Sequence, residues 1–104
     1  MTDLESTTAV VRSGQVVARR IAGELVLVPI HAPSRNPENR TADLYVLNET
    51  GELLWDSLAE PRELWWLAQI LISEFAISES RANADASSFI ADMLAIGALR
   101  RVEK

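Results

Sequence analysis

Residues 42–55 have the sequence A-D-L-Y-V-L-N-E-T-G-E-L-L-W, in which a strand pattern gives way to a helix pattern. Residues 42–47 predict a short strand. Asn48 then predicts a helix N-cap, because its side chain can accept a hydrogen bond from a free backbone N–H of the first turn. Glu49 and Glu52 favour the positive end of that helix's dipole. The apolar face of the helix is formed by Leu53, Leu54, Trp55 and Leu58. A strand therefore passes directly into a helix at this point.

Upstream of this junction the sequence predicts two further strands and a polar loop. Residues 15–21 form the first strand and residues 24–30 return antiparallel to it. Ala22 and Gly23 supply a tight turn, since Gly takes positive φ without a steric penalty. Pro29 cannot donate to a sheet, so it indicates a strand end or an edge. Residues 31–41 then form a loop with two prolines and no periodicity.

Downstream, apolar residues recur at helical spacing in two further segments. Pro61 fits the first position of a second helix. Its predicted core face consists of Leu64, Leu67, Ala68, Leu71 and Phe75. A third helix is predicted over 80–96, and Gly97 suits its C-terminal cap. Its predicted inward residues are Ala82, Ala86, Phe89, Ile90, Met93 and Ile96. Residues 98–102 predict a short extended tail.

This order of elements predicts an α+β domain, in which a three-stranded antiparallel sheet is followed by three helices. The economical arrangement packs the sheet on the helices, as in a winged helix-turn-helix-like domain. At 104 residues the chain is long enough for one domain. We expect it to span residues 15–104, preceded by a flexible N-terminal segment over residues 1–14.

Composition excludes several kinds of chemistry. The chain has no Cys and one His, His31, so thiolate metal sites, cysteine nucleophiles and most acid–base constellations are ruled out. We therefore expect no catalytic activity, no metal and no cofactor. The N-terminus has no basic start and no apolar run, and no stretch is long enough to span a bilayer. These features predict a cytoplasmic protein without membrane contact.

Charge argues against general nucleic-acid binding. The net charge is −5, whereas phosphate contacts need an excess of Lys and Arg on one face. The acidic excess lies in residues 42–104, and the would-be recognition helix over 83–96 has two acids and no basic residue. A winged-helix layout nevertheless leaves a DNA-binding transcriptional regulator as the alternative hypothesis.

The three tryptophans divide into one core residue and an adjacent pair. Trp55 lies on the apolar face of the first helix. Trp65 and Trp66 are about 100° apart on the second helix, which places Trp65 at the flank and Trp66 on the polar side. Trp66 is either an isolated exposed aromatic residue or part of a docking surface. A homodimer formed through this pair is a further hypothesis.

The third strand raises a different question, because it is short and follows a long loop. If it lies at a sheet edge, Asp43 is its only charged residue. Such an edge beside an amphipathic helix could accept an extended peptide as an added strand. It could equally be covered by a loop.

Several motifs in this order are similar to those of the PqqD family of small peptide chaperones, also described as RiPP recognition elements. RiPPs are ribosomally made, post-translationally modified peptides. The most specific element is L-N-E-T-G at 47–51, followed by Leu54 and Trp55. The supporting elements are the hairpin at 18–29, the apolar residues Leu64, Leu71 and Phe75, and the closing pattern Asp85, Phe89, Ile90, Met93 and 97–99. The resemblance covers residues 15–102.

The resemblance implies a function for the exposed edge. Such domains bind the leader part of a precursor peptide and present it to a modifying enzyme, often a radical SAM protein. The leader adds to the edge of the third strand, in the cleft against the third helix. Carried onto this sequence, the strand residues are Ala42, Asp43, Leu44, Tyr45, Val46 and Leu47. The helix residues are Asp85, Phe89, Asp92, Met93 and Ile96.

Two departures from the family pattern affect the pathway. The loop over 31–41 is longer than in members of the pyrroloquinoline quinone pathway. Residues 59–61 read A-E-P, where a Gly is common between the first two helices. Both departures suggest a PqqD-like relative from another pathway, so the resemblance does not imply cofactor biosynthesis as such.

Overall fold

A computed structural model describes residues 8–30 and 44–102 of the chain. Six strands and three helices lie within these residues. In chain order they are β1 (Ala9–Arg12), β2 (Val16–Ile21), β3 (Glu24–Pro29), β4 (Tyr45–Leu47), α1 (Glu49–Ser57), β5 (Arg62–Glu63), α2 (Leu64–Phe75), α3 (Glu79–Ala95) and β6 (Leu99–Val102).

The predicted sheet is present as an antiparallel sheet of order β2-β3-β4. Ile21 pairs with Glu24, so the hairpin between β2 and β3 has a two-residue loop. Ala22 and Gly23 have φ of 53° and 86°, as a type I′ turn requires. The expected turn is confirmed, and so is the α+β order of a three-stranded antiparallel sheet followed by three helices.

Of the third predicted strand, over residues 42–47, the structure describes the part from Leu44 onward. Only Tyr45–Leu47 form β4, and Leu25 of β3 pairs with Leu47. Leu44 precedes the strand and is exposed. Ala42, Asp43 and the predicted loop over 31–41 lie outside the described residues.

A second sheet, of order β5-β1-β6, was not predicted. Its central strand β1 pairs antiparallel on both sides, with β5 and with β6. The expectation of a flexible segment over 1–14 is therefore wrong for Ala9–Arg12. The prediction that Pro61 opens the second helix is also wrong, because β5 pairs with β1 at that point and α2 begins at Leu64.

Arg12 at the end of β1 connects this second sheet to the first helix. Its Nε and Nη2 atoms donate to the backbone oxygen of Trp55 at 3.0 and 2.7 Å. Its guanidinium carbon lies 4.9 Å from the centroid of the Trp55 ring, a cation–π distance. The adjacent backbone N–H of Ser13 donates to Ala98 O at 2.9 Å. These contacts link β1 and the residue after it to α1 and to Ala98, the residue before β6.

Asn48 caps α1 as the sequence predicts. Its side-chain Oδ1 accepts from the backbone N–H of Gly51 at 2.8 Å, which satisfies one of the free donors of the first turn. A Cβ at Gly51 would lie 3.3 Å from both Asn48 Oδ1 and Leu47 Cδ2. The glycine therefore allows the strand and the first helical turn to approach closely.

The third helix ends on a Schellman motif. Gly97 has φ of +79°, and its N–H donates to Leu94 O at 3.2 Å. The N–H of Ala98 donates to Met93 O at 2.8 Å. The predicted C-terminal cap is confirmed, and the extended tail that follows it is strand β6.

The core combines buried side chains from both sheets and from the three helices. Its fully buried large side chains are Leu27, Leu54, Leu58, Leu67, Leu71, Ile90, Met93 and Val10. Trp55 is buried as predicted, with 4% of its surface exposed. Two predicted core residues of α3 are less buried: Phe89 only packs partly against the core, and Ile96 is 44% exposed. The buried stripe of α3 is narrower than the prediction because Phe89 lies at its margin and Ile96 beyond the last helical residue.

Replacing the cap tests the junction between β4 and α1. Asn48→Ala should lower the free energy of unfolding by about 1 kcal/mol, since the Gly51 N–H loses its acceptor. Asn83→Ala is the control, because Asn83 is exposed within α3 and Ala is the better helix former there. Urea unfolding followed by tryptophan fluorescence measures both. Equal stability of Asn48→Ala and the native chain would contradict this role.

The ion pair between Arg20 and Glu52 predicts a pH effect. Arg20 donates to both Glu52 oxygens at 3.2 and 2.9 Å. This hydrogen bonding lowers the pKa of the Glu52 carboxyl below its ordinary value of 4.5. A carboxyl with a lowered folded-state pKa stabilises the fold at neutral pH, and that contribution is lost as the pH falls through the folded-state pKa.

Glu52→Gln should therefore flatten the loss of stability between about pH 7 and about pH 3. Glu49→Gln is the matched control, because Glu49 lies in the same helical turn and is exposed. Urea unfolding at several pH values gives the comparison. A pH dependence that is equally steep for Glu52→Gln and the native chain would refute the assignment.

Candidate functional site

A cleft of about 350 Å³ opens between β4 and α3. One wall is the strand and the turn that follows it, and the other wall is one face of the helix. The lining residues are Tyr45, Val46, Leu47, Asn48, Thr50, Gly51, Arg81, Asp85, Ser88, Phe89 and Asp92. The turn that connects β4 to α1 therefore forms part of the cleft.

The strand wall is an open sheet edge. β3 pairs with one side of β4, and no described residue forms a strand on its other side. Three other strands lie at sheet edges in the part of the chain that the structure describes, and all three carry charges. These charges are Arg19 and Arg20 in β2, Arg62 and Glu63 in β5, and Arg100 and Arg101 in β6. Charged side chains discourage strand addition, and β4 contains none.

The helix wall has its own periodicity, distinct from that of the core. Its cleft residues are Arg81, Asp85, Ser88, Phe89 and Asp92, which recur at intervals of three and four and so share one face. The buried residues of the same helix are Ala82, Ala86, Ile90 and Met93. The two stripes are adjacent, so packing of the core stripe fixes the direction of the cleft stripe.

Six of the predicted site residues come together in the cleft. They are Tyr45, Val46, Leu47, Asp85, Phe89 and Asp92. Leu44 is 53% exposed but is not in the lining. Met93 is fully buried in the core, so its inclusion in the site is wrong. Ile96 is exposed at the C-cap of α3 and is not among the lining residues, so its inclusion stays a prediction. Ala42 and Asp43 lie outside the described residues.

Five lining residues were not in the predicted set. Arg81 and Ser88 lie four residues before Asp85 and Asp92, so helical spacing would have found them. The other three are Asn48, Thr50 and Gly51, from the strand-to-helix turn. The predicted N-cap at Asn48 could have indicated these three residues, because a cap next to an edge strand closes one end of any groove beside that strand.

Two polar contacts organise the charges of the cleft. Arg81 Nε lies 3.6 Å from Asp85 Oδ2, within one turn of α3. Across the cleft, the Tyr45 hydroxyl donates to Asp92 Oδ2 at 3.2 Å. Burial raises the pKa of the Tyr45 hydroxyl, and the negative charge of Asp92 and the hydrogen bond to it raise that pKa further. Tyr45 therefore stays a proton donor at neutral pH and joins the two walls.

The tryptophan pair is arranged in the opposite way from the prediction. Trp66 is half-buried and packs against the core, and the guanidinium carbon of Arg62 lies 4.1 Å from its ring centroid. Trp65 is 48% exposed, and its indole N–H donates to the Glu63 carboxylate. Trp66 is covered because Arg62 of β5 lies over it. The homodimer stays a prediction, and its exposed aromatic residue would be Trp65.

Residues 8–30 and 44–102 contain no group of three or more His, Cys, Asp or Glu that could hold a metal ion. Among those same residues, no helix has the length and apolar character needed to cross a membrane.

Comparison with known proteins supports the same architecture. A structure titled "Lasso peptide synthetase B1 complexed with the leader peptide" is 18% identical, with a TM-score of 0.66 over 88% of this chain and 96% of that chain. A second, titled "TbiB1 in Complex with the TbiA(beta) Leader Peptide", is also 18% identical, with a TM-score of 0.67 over 90% of this chain and 99% of that chain. At this identity the likeness shows a shared fold.

A search among curated proteins finds no significant match. The family model described as coenzyme PQQ synthesis protein D (PqqD) matches residues 24–99. This range includes the β3 and β4 strands and all three helices, hence both walls of the cleft. The chain therefore belongs to the coenzyme PQQ synthesis protein D (PqqD) family.

Proposed function

We propose that this chain is a peptide-binding adaptor without catalytic activity of its own. It takes up the leader part of a ribosomally made precursor peptide as an added strand on β4. It then presents that peptide to a modifying enzyme, for which a radical SAM protein is the first candidate. The observation that carries the proposal is the uncharged, open edge of β4 beside a cleft.

Backbone pairing supplies the sequence-independent part of such binding. An unpaired strand edge presents N–H and C=O groups that an extended peptide can satisfy. The described edge is only Tyr45–Leu47, so it offers few hydrogen bonds. The rest of the affinity must come from side chains that enter the cleft.

Apolar contact between the cleft and side chains of the peptide supplies the sequence-dependent part of the binding. Phe89 lies on the α3 wall and is only partly buried, so its ring can be covered by a side chain of the added strand. Alternate side chains of a strand point to the same face. One face of the bound peptide would therefore meet α3, and the other would extend the exposed face that carries Val46.

The two similar structures support this proposal, because each is titled as a complex with a leader peptide. The family membership supports it for the same cleft, since residues 24–99 contain both walls.

No observation favours the DNA-binding alternative. The cleft face of α3 carries Asp85 and Asp92, and its single cation, Arg81, already pairs with Asp85. A recognition helix needs basic side chains for phosphate and guanine. Binding to duplex DNA at low salt, with the salt dependence of phosphate contacts, would reverse this preference.

The two phenylalanines of the chain provide a matched test. The probe is a synthetic peptide with the leader sequence of a candidate precursor, which is first sought by sequencing the DNA around the gene for this chain, and titration calorimetry measures its Kd. Phe89→Ala should weaken binding about tenfold or more, as loss of a central aromatic contact does. Phe75→Ala also truncates a partly buried ring against the core, but outside the cleft, and should leave the Kd unchanged.

A scrambled peptide of the same composition is the control for the probe. The proposal fails if the leader and the scrambled peptide bind equally, or if neither binds the native chain. The cleft assignment alone fails if the leader binds and Phe89→Ala has no greater effect than Phe75→Ala.

A further inference from the structure

The positive and negative charges of the described cleft residues are not equal in number. Among the described residues, Arg81, Asp85 and Asp92 are the charged ones that line the cleft. Arg81 and Asp85 lie one turn apart and form an ion pair, so their charges offset each other. Asp92 is absent from every ion pair found among the described residues. The described lining therefore leaves one negative charge, that of Asp92, without an ion-pair partner.

Asp92 has a partner, but that partner is neutral. The hydroxyl of Tyr45 donates to Asp92 Oδ2 at 3.2 Å, and burial together with the Asp92 charge raises the pKa of this hydroxyl. A phenol that stays protonated gives a hydrogen bond without neutralising the carboxylate. A charge-assisted bond from Lys or Arg is about twice as strong as one from a neutral donor.

The position of this bond links it to peptide entry. Tyr45 belongs to the strand that a peptide would extend, and Asp92 belongs to the opposite wall. An added strand lies about 4.8 Å from its neighbour, hence in the space that the Tyr45–Asp92 bond crosses. A peptide in that space brings its own side chains within reach of the exposed Asp92 carboxylate.

We propose that Asp92 selects leader peptides that place a Lys or Arg side chain against it, and that the Tyr45 hydroxyl is the stand-in partner of this carboxylate in the free protein. The inference rests on the proposed function and names the peptide chemistry that the cleft prefers. The cationic side chain replaces the phenol, and the charges of the described lining residues are then balanced.

Asp92→Asn is the informative variant, because the amide oxygen still accepts from Tyr45 and only the charge is lost. With the synthetic leader as probe, it should weaken binding about fivefold, the upper range for an exposed ion pair. Glu79→Gln removes the same charge from an exposed position of α3 outside the cleft and should leave the Kd unchanged.

A double-mutant cycle identifies the peptide side of the contact. Each Lys or Arg of the leader is replaced singly by Gln, and each peptide is titrated into the native chain and into Asp92→Asn. One replacement should weaken binding to the native chain about fivefold and have almost no effect on Asp92→Asn, because the contact is already lost. If no replacement couples to Asp92→Asn, the proposal is wrong.

Tyr45→Phe tests whether the Tyr45 hydroxyl competes with a cationic side chain of the leader for Asp92, or instead supports the bound state. The variant keeps the ring and removes the competing donor, so it should bind the leader about twofold to fivefold more tightly. Weaker binding would show that the Tyr45–Asp92 bond supports the bound state, which overturns the stand-in role. Failure of the native chain to bind the leader at all would instead refute the proposed function, and this inference with it.

Discussion

The turn from β4 into α1 determines where the rest of the cleft lies. Asn48 closes this turn by accepting from the Gly51 N–H, and Gly51 lets the Leu47 side chain approach the helix. Together they end β4 after three residues and bring the chain straight into α1. The cap thereby stabilises α1 and fixes one end of the groove beside the strand edge.

The open edge remains accessible because the core holds its two walls in place without covering them. Leu47 points inward from β4, and Ile90 and Met93 point inward from α3, and all three are buried. The cleft residues of α3 lie beside these buried residues on the helix. Packing of the buried residues in the core therefore sets the direction in which the cleft residues point. Elsewhere charge protects the described edges, as Arg19 and Arg20 do on β2. Among the described edges, the one without charge is the edge that borders the cleft.

Local patterns predicted the parts of the fold that depend on neighbours in sequence. The Ala22–Gly23 turn, the Asn48 cap and the Gly97 cap follow from residue chemistry at single positions. The second sheet could not be found in this way, because β1 is stabilised by pairing with β5 and β6. The lining of the cleft was predicted in part, since spacing gives a helix face but not the boundary between core and cleft. Met93 fell on the wrong side of that boundary.

Amide hydrogen exchange of the native chain, with and without the synthetic leader, tests strand addition on β4 most directly. An added strand ties up the free backbone groups of one edge only. The account predicts slower exchange within Tyr45–Leu47 on binding, and unchanged exchange in Val16–Ile21, the other edge of the same sheet. Protection of Val16–Ile21 with no change in Tyr45–Leu47 would contradict it.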